Sequence, residues 1–123
     1  MAMQQYMTFL QEKLFHYKLD KYSDDTMFTV YMCLTDGLGM ESYVNFLENT
    51  ERVRLGGNIC SIVKLGKMVS LSIHEEIIPD LPVFSTSIDN LIKLYKEIKR
   101  LEDLGVNKIN ISLDNDELLI LGE

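Results

Sequence analysis

Few side chains in this chain combine a reactive type with a useful spacing. His74-Glu75-Glu76 sets an imidazole beside two carboxylates, which is the composition of a general base or a proton-responsive switch. The same residues close a run that alternates apolar and polar side chains, so a solvated strand end accounts for them more simply. His16 stands where the first periodic segment ends, and the negative end of a helix dipole favours a cation there. Cys33 or Cys60 with His74 would make a thiolate pair, yet both cysteines lie in apolar, strand-like runs where a thiol behaves as a small hydrophobe. Reduced, buried thiols are the expectation.

Asp114-Asn115-Asp116-Glu117 opens like a calcium loop, but Leu118 to Leu121 stand where further oxygen ligands and a sharp glycine turn are required. A turn between strands is the better reading. Gly37, Gly39, Gly56, Gly57 and Gly66 match neither a phosphate-cradling loop nor a dinucleotide fingerprint, because the lysine and the strand-to-helix context are missing. The sequence therefore predicts no catalytic residue, no cofactor and no metal site, and no motif places the chain in a known family. Recognition by surface is what remains.

The elements that must build such a surface are readable to different degrees. Residues 85–105 are the plainest: Ile88, Leu91, Ile92, Leu94, Tyr95, Ile98, Leu101 and Leu104 recur at three- and four-residue steps. Ser85, Thr86 or Ser87 supplies a cap, Asp89 suits the first turn, and Gly105 supplies a left-handed stop. A first helix is expected from Met3 to about Lys18, on the stripe Met3, Met7, Leu10, Leu14 and Tyr17. Residues 20–26 read as a polar loop.

The run 27–35 (MFTVYMCLT) is expected to be an interior strand, since β-branched and aromatic residues fill it and both faces are apolar. A turn at 36–39 follows, and 40–51 suits either a strand or a short helix. Residues 52–55 and 58–66 read as short strands around Gly56-Gly57-Asn58, and 67–77 as a strand with Val69, Leu71 and Ile73 inward. Pro79 and Pro82 force an extended link into the long helix. Residues 108–113 and 117–121 complete the order as a strand pair around a turn at 114–116.

Helix, strands, helix, strands with turn-length links predicts an α+β fold in one domain spanning 1–123: a mainly antiparallel sheet of about five or six strands, covered on one face by the N-terminal helix and the helix near 86–104. The uncovered face would carry Tyr31, Cys33, Ser70, Ser72, His74, Asn110 and Ser112.

Nineteen acidic against twelve basic residues give a net charge of −7, which argues against a direct grip on nucleic acid, where Lys and Arg must neutralise phosphates. Apolar runs fall far short of the roughly 20 residues of a spanning helix, and the start lacks a basic segment followed by a long apolar one, so no membrane segment and a cytoplasmic location are expected. The acids cluster: Asp20, Asp24 and Asp25 in one stretch, and Asp114, Asp116 and Glu117 in another. These six are the candidate protein-binding residues, and the expected partner is a protein with a basic surface, met by a monomer or homodimer. Stoichiometric association of the inhibitor, immunity or anti-defence kind is the expected function, including occupation of a basic or nucleic-acid-binding site. A dimeric secretion-type chaperone or adaptor, and a small enzyme or ligand sensor using the open sheet face, are the alternatives.

Overall fold

The computed structural model describes residues 2–9, 16–35, 40–56, 59–114 and 117–123. Along them run α1 (Ala2–Thr8), β1 (Tyr17–Leu19), α2 (Asp24–Thr35), α3 (Met40–Glu48), β2 (Arg54–Gly56), β3 (Cys60–Leu65), β4 (Met68–Ile73), β5 (Phe84–Ser87), α4 (Ile88–Asp103), β6 (Ile109–Asp114) and β7 (Glu117–Gly122). The chain is α+β. Its strands divide between two sheets rather than forming one: a mixed sheet β1-β6-β7 and an antiparallel sheet β2-β3-β4-β5.

α4 forms for the reasons its sequence gives. Leu91, Leu94, Tyr95, Ile98 and Leu101 are buried along one face, and the Ser87 hydroxyl accepts the Asn90 amide at 3.1 Å. At the other end Gly105 takes φ +72° and donates to the Glu102 carbonyl at 3.0 Å. The helix begins later than 85 because the extended chain after Pro82 first pairs as β5, with Leu71 opposite Phe84 and Val69 opposite Thr86. Gly122 lets the end of β7 pass close beneath the last turn of α4. A Cβ there would lie 2.7 Å from Leu101 Cδ2.

The run 27–35 is a helix, not a strand. α2 is buried on nearly every side, with Met27, Phe28, Thr29, Val30, Met32, Cys33 and Leu34 all inside. It touches β1 of one sheet and β3, β4 and β5 of the other, so a face-specific period was never required of it. Its start is set by Ser23, whose hydroxyl accepts the Thr26 amide at 3.2 Å, and by Asp24 and Asp25 in the positive first turn. The stretch 40–51, open between strand and helix, resolves as α3.

The first helix does not run to Lys18 as expected, because Tyr17 and Lys18 are in a strand. α1 ends at Thr8, and Tyr17, assigned to its stripe, lies instead in β1. Tyr17 faces inward because parallel pairing with β6 sets it opposite Ile109, and Leu19 opposite Ile111. Phe9 is buried between Phe28 and Tyr31, while Met7 of the expected stripe is exposed. The 10–15 part of that helix, the turn at 36–39 and Gly57-Asn58 lie outside the described residues.

Alternation holds in the remaining strands. Val69, Leu71 and Ile73 of β4, Ile109 and Ile111 of β6, and Leu118 and Ile120 of β7 all join one contiguous buried cluster with α2 and α4. Both helices touch strands of both sheets, so the long helix packs between two sheets and does not lie on a single one. Among the described residues no helix is long and apolar enough to cross a membrane.

Candidate functional site

The parallel pairing of β1 with β6 decides where the acidic residues go. The Asp20 amide donates to the Ile111 carbonyl at 2.7 Å, directly past the end of β1. From Ile111, β6 runs three more residues to Asp114, about 10 Å of strand, where antiparallel pairing with Glu117 opens β7. Asp20 therefore lies at the same end of the three-stranded sheet as Asp114 and Glu117. Asp116 lies outside the described residues.

The acids are not equivalent. Asp24 and Asp25 occupy the first turn of α2, where the dipole favours them, and Asp25 accepts a hydrogen bond from the Tyr6 hydroxyl. That bond, ahead of partial burial, pushes the Tyr6 phenol up to about 12. Asp20 and Glu117 are exposed, and neither side chain has a hydrogen bond or ion pair among the described residues. Tyr22, between the two Asp groups of the first stretch, is also exposed and sets its ring edge-on to Phe84 at 5.7 Å.

The expected open face does not exist as one surface. Cys33 is buried and Tyr31 half-buried on α2, because that run is helical, while Asn110 and Ser112 belong to the three-stranded sheet. Ser70, Ser72 and His74 do share the outer face of the four-stranded sheet, with Ser61 and Ser85 beside them. There Ser61 Oγ lies 2.9 Å from His74 Nε2, the diagonal contact that pairing of Ser61 with Ser72 creates. A nucleophile and base also need an orienting group and oxyanion donors. His74 Nδ1 has no hydrogen-bond partner among the described residues, and the neighbouring β3 and β4 amides are engaged in sheet pairing. Cys60 faces the core, on the side opposite His74, so no thiolate pair forms.

His16, expected at the close of the first helix, follows residues 10–15, which lie outside the described residues. It precedes β1, with Nδ1 2.7 Å from the Asn107 carbonyl and Nε2 2.9 Å from Glu102 Oε1. Tyr17 donates its hydroxyl to the same carboxylate oxygen, and burial followed by that bond drives its phenol well above the usual range. This cluster ties β1 to the end of α4.

One constellation carried no motif. β3 buries Cys60, Ile62 and Lys64 on one side, and the Lys64 ammonium reaches the end of α3, donating to the Phe46 carbonyl at 2.8 Å and to the Asn49 carbonyl. It lies 4.4 Å from the centre of the Phe46 ring, and the Arg52 guanidinium lies 5.6 Å from the same ring. Burial, then the nearby Arg52 charge, lowers the Lys64 pKa. A lysine on the inward register of a strand is the sequence signal for this feature, since such a group must find acceptors. Among the described residues no group of three or more His, Cys, Asp or Glu is placed to hold a metal ion.

No family model, no curated protein and no solved structure matches this chain.

Proposed function

We propose that the chain acts by stoichiometric association with a partner protein that carries a basic surface, docked on the acidic end of the three-stranded sheet. The single observation behind this reading is the β1-β6 pairing, which sets Asp20 at the end of the sheet where Asp114 and Glu117 lie, about ninety residues on in sequence. The side chains of Asp20 and Glu117 make no hydrogen bond or ion pair among the described residues, and an exposed aromatic, Tyr22, lies two residues from Asp20 in sequence, a residue type that anchors interfaces. Complementary charge of this kind accelerates encounter and selects partners. An inhibitor seated in a partner's nucleic-acid groove is one form such an association takes.

The test is capture of partners from the native host, followed by the same capture with Asp20→Lys and Glu117→Lys combined, the two acids whose side chains have no partner among the described residues. The expected partner binds more weakly as salt rises from low to physiological strength and binds the double variant at least about tenfold more weakly still. A partner held equally by both forms, or indifferent to salt, overturns the proposal.

A further inference from the structure

We propose a second, separate binding site: a cleft between the end of α3 and the β2-β3 pair that takes a small carboxylate bearing a short apolar tail. The cleft has a volume of about 350 Å³ and is lined by Arg52 and Lys64, by Asn49, and by Leu47, Val53 and Ile88. That volume is at the small end of the roughly 300–1,000 Å³ typical of ligand sites. Among the described residues no carboxylate lines it, in a chain whose net charge is −7.

The two cations have different standing. Lys64 is accounted for in part by the α3 carbonyls, which take two of its three donors. Arg52 has no such account: it is exposed, makes no ion pair among the described residues, and rests over Phe46 near a like charge. Two cations facing one cavity repel, and an anion between them relieves that repulsion. The loop is also pre-set, since Asn49 Oδ1 accepts the Glu51 amide at 2.8 Å and the Arg52 amide at 3.2 Å. A planar carboxylate matches the guanidinium fork, and Leu47, Val53 and Ile88 supply the wall for an apolar tail.

The test is a ¹H-¹⁵N NMR titration of the full chain with hexanoate and, separately, with acetate, at constant ionic strength up to about 20 mM. The expected result is saturable shifts centred on Thr50, Arg52, Lys64 and Gly66, with hexanoate tighter than acetate. Arg52→Gln should weaken hexanoate at least about tenfold, while Arg54→Gln, two residues on and outside the cleft, should leave it unchanged. Absence of saturable shifts, equal response to hexanoate and acetate, or indifference to Arg52→Gln overturns the proposal. Arg52 is a surface residue, so its replacement leaves the fold in place to be measured.

Discussion

Tyr95 offers the sharpest test of the core. Its ring is fully buried and stacks on Tyr43 at 5.2 Å with the planes 6° apart, yet its hydroxyl meets no hydrogen-bond partner among the described residues. A buried polar group left unsatisfied costs about 1–3 kcal/mol of desolvation with no return. Tyr95→Phe removes that group, keeps the stacked ring, and vacates only the space of one oxygen. The expected outcome is a gain of about 1 kcal/mol. With ordinary urea slopes of about 1–3 kcal/mol/M, the midpoint should rise by roughly 0.5 M at unchanged slope. In a chain of this size the same gain corresponds to a Tm increase of about 3–5 °C. Urea and thermal unfolding followed by circular dichroism check both. A loss of 1 kcal/mol or more would refute the reasoning, because it would mean that the hydroxyl is satisfied in solution.

Other outcomes follow from the same packing. Leu91→Ala and Ile98→Ala each truncate a buried side chain of α4 and should cost about 2–5 kcal/mol by chemical denaturation; a cost well under 1 kcal/mol would mean that α4 does not hold the two sheets together. Tyr6, Tyr17 and Tyr95 all hold their protons above the phenol's ordinary value near 10. Stability is therefore unaffected by these groups below pH 10 and falls as pH rises through 10 and beyond, since the unfolded chain releases those protons first. Absorbance at 295 nm should show part of the six tyrosines ionising only as ellipticity collapses. Lys93 donates to the Leu118 carbonyl at 2.8 Å, one of the groups that β7 turns towards its open edge, beside exposed Leu119 and Leu121. Lys93→Ala should uncover that edge and increase self-association in sedimentation velocity relative to the parent chain.

How much of this was legible depends on how many local signals agreed. In α4 the period, the Ser87 cap and the Gly105 stop all point one way, and the helix is where they put it, less the residues that β5 claims. In β4 and β6 strict alternation sufficed because each strand has one buried face. α2 defeated the same method. A helix buried on nearly every side has no polar stripe, so MFTVYMCLT reads as an interior strand on propensity alone, and only tertiary burial decides otherwise. The usable clue was Ser23 followed by Asp24-Asp25, a helix start that also resembles a polar loop. β1 is three residues long and paired far along the chain, which no local pattern announces. The candidate acids were visible as residues, but their meeting place depended on that pairing. The cleft at Arg52 and Lys64 was missed because its members come from a helix end, a loop and a strand.

The helix at 24–35 also changes what the acidic end can mean. Had that run been a strand, Asp24 and Asp25 would be turn residues with no duty, equal to the rest. As the first turn of a buried helix they stabilise the fold, and Asp25 is further engaged by Tyr6, so replacing either one perturbs stability and binding together. Asp20 and Glu117 are free of that entanglement. Charge reversal at these two positions should leave unfolding free energy within about 0.5 kcal/mol, as for surface residues without partners. Any loss of partner affinity would then come from the charge itself. A solubilising surface predicts no such loss, and an interface predicts it with stability intact. The pair Asp20 and Glu117 therefore separates the two explanations of a net charge of −7, where the whole cluster of acids cannot.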